Sequence, residues 1–352
     1  MARPEQRRID LGALSVAAGA VVAAGGVGAL LLLAGGYEPL GAARAALAGA
    51  FGSTEALLSI TLVRTVPLVL TGLAVAFAFR AGVWNIGAEG QLLAGAIAAA
   101  WVGLAGRALP SWVLVPVLLV LAGCAGALWA LIPALMKLRL GVGEVITTLL
   151  MSFVAIHLTG WLVHGPLQEP RGIFPQTEAI AEAARLPALV PGTRLHAGAF
   201  IAIAAAVAVA WLFVRARIGF RMRAVGASSS AARIAGRIDT GPIVLVAFMG
   251  SGALAGLAGG VQVAGVTYAL YEGFSPGWGY TAIAVALLAA LNPLGVLATA
   301  LLFGALEAGA AAMQRDAGVP AVWAMAVQAL VILAVLALDR LRRRGGGGAA
   351  RV

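Results

Sequence analysis

The chain has 352 residues, of which 62% are hydrophobic and only 11% charged, and its mean hydropathy is +0.99. Soluble domains carry about 25% charged residues, so a water-soluble fold, which could not cover its surface with so few charges, is excluded. The net charge of +10 does not point to nucleic acid, because the basic residues sit in short stretches between apolar runs, where they set membrane orientation.

Arg3, Arg7 and Arg8 precede the apolar run Leu11–Ala34. That run is long for a signal-peptide core and lacks a clean cleavage motif, so it reads as a retained first span. Further runs follow at Leu57–Phe79, Trp112–Leu135, Val145–Val163, Ala197–Val214, Ile243–Val263 and Val319–Leu338. Each reaches or approaches the ~20 residues a helix needs to cross the hydrocarbon core. An eighth span is predicted over Ile86–Leu104, after a break at Trp84-Asn85. Thr281–Ala312 is split by Asn292-Pro293. Two short crossings there give about ten in all, whereas one long tilted helix gives nine and puts the basic C-terminus outside. The predicted fold is therefore all-α, a polytopic transmembrane helix bundle of about ten spans with two interrupted regions.

With the N-terminus in the cytoplasm and sides alternating, 17 of the 24 basic residues fall inside, which places both termini in the cytoplasm. Residues 1–344 form one transmembrane domain. Within it, 165–195 is a proline-rich external loop and 215–240 the largest internal loop, with six arginines. Residues 345–352 are a flexible cytoplasmic tail. Cys124, the sole cysteine, lies in an apolar run and reads as a small buried hydrophobe.

The stretch Arg80–Gln91 is polar for its surroundings. Asn85 and Glu89 are four apart, on one face of any helix that contains both, and Gln91 is close. A carboxylate at the bilayer centre costs roughly 3 kcal/mol on insertion scales, so Glu89 either lines a polar pathway or sits in water at a helix end. Thr147 and Thr148, just after Glu144, face a pathway or simply begin a helix whose first turn Glu144 complements. Gly252, Gly256 and Gly260 form a ladder of small residues for close helix packing, with a shorter one at Ala305 and Gly309. Phe220–Gly236 reads as a short amphipathic helix with Ser228 as N-cap, suited to a cytoplasmic partner or to anionic headgroups. No phosphate-binding loop or metal-ligand motif is present, and the three histidines are scattered in sequence. No catalytic residue and no metal ligand is assigned, and any ATP must bind elsewhere.

Gly72–Arg80 followed by Asn85-Ile86-Gly87-Ala88-Glu89-Gly90-Gln91 resembles the signature of permease subunits in bacterial ABC importers, in the simple-sugar and nucleoside branch related to ribose permeases. Gly143–Thr148, Ala224–Gly236 and Thr281–Leu288 with Asn292-Pro293 resemble later motifs of the same family, over most of the chain. Ser228-Ser229 stand where an Asn-Pro-like pair is usual in the coupling loop. The resemblance implies a multi-pass protein of the bacterial inner or plasma membrane that imports nucleosides or simple sugars by alternating access. It also implies a second, similar permease in a heterodimer, a cytoplasmic ATPase that holds ATP and Mg, and an external solute-binding lipoprotein; this chain itself needs only lipid around it, no cofactor and no nucleic acid. The pathway candidates are Asn85, Glu89, Gln91, Thr147 and Asn292. The coupling-loop candidates for ATPase docking are Arg221, Arg223, Gly226, Ala231, Ala232 and Gly236. The rival reading is an ion-coupled carrier of a small polar solute that uses Glu89, Glu144 or Glu307.

Overall fold

The computed structural model describes residues 25–234 and 236–326, with 329, 330 and 333. Residues 11–24 of the predicted first span, nine of the twenty residues of the last span and the tail 345–352 lie outside the described residues. Among the described residues seven helices are long and apolar enough to cross a membrane, and two more, Gly25–Ala34 (α1) and Trp278–Leu288, are apolar but shorter. No strand occurs among the described residues. The chain divides into two units, 57–305 and the pair 25–56 with 306–333.

In the larger unit, α3 (Leu62–Phe79, entered through a π-turn at Ala56–Thr61) is buried along almost its whole length. α10 (Thr240–Gln262) and α7 (Gly198–Arg215) pack along it and α4 (Ala88–Ala105) meets it, while α5 (Ser111–Leu140) packs on α10 and α4, and α6 (Glu144–His164) on α4 and α5. The predicted glycine ladder lies at their closest contacts. A Cβ on Gly252 would come within 2.4 Å of the Gly126 carbonyl on α5, and one on Gly256 within 2.3 Å of the Ala122 carbonyl. On the α4 side, a Cβ on Gly95 would fall 2.1 Å from the Gly256 carbonyl, and one on Gly259 2.1 Å from that of Leu92. Only glycine lets these backbones touch, and dispersion across such contacts takes the place of a hydrophobic drive that lipid cannot supply.

The helices α5, α6 and α7 expose wide apolar faces, with Trp112, Ile146 and Trp211 among the exposed side chains. Cys124 is also exposed on α5, not buried as the apolar run suggested. Its neighbours on that face meet lipid or another chain, and apolar surroundings in sequence do not distinguish this from a core. Ending α5, Gly141 adopts φ +67°, and the N–H groups of Gly141 and Val142 return to the carbonyls of Lys137 and Met136, a left-handed glycine cap.

The loop 165–195 is packed, not free. Thr177, Ile180 and Leu186 donate backbone hydrogen bonds to Leu270, Tyr268 and Ala264. The Arg185 guanidinium stacks over the Tyr268 ring at 4.7 Å.

The region Thr281–Ala312 is two helices, as the Asn292-Pro293 break suggested, but they are unequal: α11 (Trp278–Leu288) has 11 residues and α12 (Pro293–Asp316) has 24. Between them Ala290 and Leu291 take left-handed φ values of 53° and 58°. Asn292 then caps α12, its Oδ1 accepting the Leu294 N–H at 3.1 Å, with Pro293 at the first helical position.

In the smaller unit, α2 (Pro39–Phe51) is a helix that the sequence reading left as loop. It packs through glycine as well: a Cβ on Gly49 would lie 2.1 Å from that of Ala312, and one on Gly309 3.2 Å from that of Ala46. Leu32, Ala42, Met313, Val319 and Ala324 form its core, flanked by the tilted pair Tyr37 and Trp323.

Candidate functional site

After Arg80 the chain leaves the helix and runs unwound through Gly87, with Gly82 at φ +74°. The expectation that one helix carries Asn85 and Glu89 on a shared face is corrected here, because α4 begins only at Ala88. Asn85 precedes the helix and braces its start. Its Oδ1 accepts from the Gly87 N–H and from Gln91 Nε2, both at 3.0 Å; its Nδ2 donates to Gln91 Oε1 at 3.0 Å and to Ser251 Oγ on α10 at 2.9 Å. Asn85 and Gln91 are buried, and this two-way amide pair satisfies both where bare burial would cost a few kcal/mol each. Hydroxyls of α6 take further backbone donors: Ile86 N–H bonds Thr148 Oγ1 and Gly90 N–H bonds Ser152 Oγ, each at 3.2 Å.

The N-terminus of α4 meets that of α11. A Cβ on Gly279 would fall 2.1 Å from the Glu89 backbone nitrogen. Glu89, 2% exposed, turns its carboxylate to this junction. Its Oε2 accepts the Gly279 N–H at 2.7 Å, and the Ser275 side chain hydrogen-bonds the same carboxylate. Two helix N-termini, each carrying partial positive charge, thus converge on one carboxylate. Beyond Glu89 opens a cavity of about 470 Å³ between α4, α6 and the segment 272–275.

At the other end of the unwound segment, Arg80 Nε donates to the Leu291 carbonyl at 2.9 Å, and its guanidinium lies 5.3 Å from the Phe213 ring centroid on α7. The predicted amphipathic helix is two helices, α8 (Arg217–Ala227) and α9 (Ser229–Ile234). Ser228 caps the second as expected, its Oγ accepting the Ala231 N–H at 3.2 Å. Met222, Val225 and Ala232 are buried beneath these helices, while Arg221, Gly226, Ala231 and Gly236 are exposed and Arg223 half-buried. Gly226 lies against the start of the unwound segment: a Cβ there would be 2.2 Å from the Arg80 carbonyl. A groove of about 980 Å³, lined by Arg217, Arg221, Arg223, Arg237 and Asp239 among others, runs beside α8 and α9.

Of the remaining candidates, Thr147 is buried and its hydroxyl bonds the carbonyls of Gly143 and Glu144 in its own helix. Asn292 is the exposed cap of α12. Glu144 pairs with Lys137 across the α5–α6 turn, and Glu307 is half-buried on α12. The sequence reading singled out none of Trp161, His157, His164, Glu272 and Ser275, yet all line the cavity beside Glu89. One signal was available: His157 and His164 are seven apart, hence on one helical face.

A family model described as the permease component of branched-chain amino acid transport systems matches residues 56–336. The chain is 40% identical to the glucose ABC transporter permease protein of Haloferax volcanii, over 92% of this chain and 87% of that one. It is 37% identical to a guanosine ABC transporter permease protein of Bacillus subtilis, over 90% of each. A second guanosine permease protein of Bacillus subtilis is 28% identical over 69% of this chain and 78% of its own length. No solved structure matches. The ion-coupled carrier finds no support in this pattern. The chain belongs to the permease-component family of ABC transport systems, and is a multi-pass membrane subunit with no enzymatic activity of its own.

Proposed function

We propose that this permease imports nucleosides or related simple sugars by alternating access, as one half of a heterodimer driven by a separate cytoplasmic ATPase and supplied by an external solute-binding lipoprotein. One observation carries the reading: the two interrupted helices meet N-terminus to N-terminus at Glu89 and Gly279. Such paired breaks are the usual place for a transported solute. The relatives named for guanosine and for glucose support the solute class, and two distinct guanosine permeases in one organism support the heterodimer. ATP and Mg belong to the partner ATPase.

In this reading residues 1–344 are one permease domain that crosses the membrane ten times with both termini in the cytoplasm. Each broken helix counts as one crossing together with its unwound approach, 81–87 for α4 and 268–277 for α11. Such an approach is necessary because α11 alone spans only about 16 Å. The pathway passes Glu89; Asn85 and Gln91 hold the break open, and Thr147 and Asn292 brace the helices that flank it. ATPase docking falls to α8 and α9, with Arg221 and Arg223 facing the groove, Gly226 and Gly236 allowing close approach, and Ala231 and Ala232 setting the height of α9. ATP-driven closure moves these helices, and Gly226 against Arg80 passes the motion to the break. Two states must be stabilised differently by ATP for this to work.

The test is uptake by the reconstituted importer. ATP and the binding protein should both be required. The pair Gly226→Trp and Ala232→Arg should abolish uptake and ATPase stimulation while leaving the permease in the membrane. Uptake that survives both changes overturns the docking assignment, and uptake driven by an ion gradient without ATP overturns the importer.

A further inference from the structure

The cavity beyond Glu89 has a floor, a wall and a rim of distinct chemistry. Glu89 and Ser275 form the floor at the helix junction. The wall is α6 from Ile156 to His164, about 12 Å of helix. At the rim, His164 Nε2 and Glu272 Oε2 lie 3.6 Å apart. On the same helix the exposed side chains nearer its start, Ile146, Leu150 and Phe153, are all apolar. Polar side chains, His157 and His164, thus join the exposed face of α6 only in its second half, beside the cavity, alongside Ile156 and Trp161. Ionisable side chains facing lipid are costly, so a face bearing His157 beside this cavity is a wetted one.

We propose that this cavity is the solute chamber of the subunit, and that it admits neutral polyhydroxylated solutes while rejecting their phosphorylated forms. The inference rests on the importer reading above, in which the His164 end of α6 faces the binding protein. The volume of about 470 Å³ suits a nucleoside or a hexose. Carboxylates at Glu89 and Glu272 accept hydrogen bonds from sugar hydroxyls, the imidazole of His157 can donate or accept, and Trp161 offers an aromatic face to a base or a pyranose ring. Among the described residues neither arginine nor lysine lines the cavity. A phosphate would lack the forked cationic partners that usually hold it and would meet two carboxylates instead.

The test is cysteine accessibility in the complete importer, in a Cys124→Ser background, with single cysteines made by His157→Cys, Glu272→Cys and, on the apolar face of α5, Leu128→Cys. A membrane-impermeant charged thiol reagent applied from outside should label positions 157 and 272 about tenfold faster than 128, because such reagents partition poorly into hydrocarbon. Guanosine or glucose, delivered with the binding protein, should slow labelling at 157, and guanosine monophosphate or glucose 6-phosphate should not. Labelling at 157 and 272 no faster than at 128, or protection by neither neutral solute, overturns the chamber. Equal protection by the phosphorylated forms overturns the selectivity. ATP-dependent uptake by the unmodified importer is measured in parallel, so that failure of the importer reading is seen separately.

Discussion

Arg80 Nε and the Leu291 carbonyl, 211 residues apart in sequence, are joined by a 2.9 Å hydrogen bond that ties the end of α3 to the strained left-handed turn between α11 and α12. The same guanidinium covers Phe213, and the Arg80 carbonyl abuts Gly226. One residue therefore touches the start of the unwound segment before α4, the turn after α11 and the helix α8.

Replacing Arg80 with lysine keeps the charge but loses the planar group that bonds Leu291 while stacking on Phe213. We expect Arg80→Lys to insert normally and to lower uptake about tenfold, equivalent to roughly 1.4 kcal/mol, with ATPase activity retained. Parallel uptake and hydrolysis assays on the reconstituted importer read the ratio. A proportional loss of both would assign Arg80 to assembly instead.

Glu89 and Gly279 make a second prediction. Glutamine keeps an oxygen able to accept the Gly279 N–H, so Glu89→Gln should retain most uptake. Glu89→Ala leaves that buried donor unpaired, at a cost of about 1–3 kcal/mol, and should lose uptake by roughly the corresponding 10–100-fold. Gly279→Ala should be at least as severe, because its methyl group would overlap the α4 backbone. An equal, complete loss for Gln and Ala would show that the charge matters, not the cap.

The amide pair predicts strong coupling. Asn85→Asp removes the two donors now bonding Gln91 and Ser251 and buries a carboxylate in their place. A loss of about 3–5 kcal/mol is expected, as for a buried charge without a partner, seen as a large fall in the fraction of monodisperse protein in detergent. Asn85→Ala with Gln91→Ala should cost less than the sum of the two single changes.

His196, just before α7, gives a pH dependence. It is 2% exposed, its Nδ1 accepts the Gly198 N–H at 3.1 Å, and burial pushes its pKa down to about 4 from an ordinary 6.5. The folded chain holds it neutral while the unfolded chain protonates below about 6.5, so stability falls as pH drops from 6.5 toward 4. The slope from this group approaches ~1.4 kcal/mol per pH unit within that window. Apparent melting temperature in detergent should decline from pH 7 to pH 5, and His196→Gln should flatten the decline. An unchanged slope would refute the assignment.

Much of this architecture was legible in sequence because lipid imposes simple rules. Backbone groups must be satisfied within each segment, so apolar length marks the helices. Asn292-Pro293 marked a true break because proline opens a helix and asparagine caps it. The ladder at Gly252, Gly256 and Gly260 marked the close face of α10 because nothing larger than glycine fits there. Where the reading erred, the cause was local ambiguity. Asn85 at four residues from Glu89 looks like a helical neighbour, yet it lies in the unwound segment before α4, where its side chain bonds Gly87 and Gln91. Cys124 looked buried because an apolar run reads alike whether it faces a core or lipid.

The sequence by itself determined the membrane class, the break before α4, the break at Asn292-Pro293 and the position of the arginine-rich helices, since each follows from composition and spacing along one segment. Only the tertiary structure decided that the N-terminus of α4 meets that of α11, that Glu89 caps Gly279 from 190 residues away, and that His157, His164 and Glu272 border one cavity. These are juxtapositions of distant segments, fixed by which glycine faces allow two backbones to touch, and no pattern within a single helix encodes them.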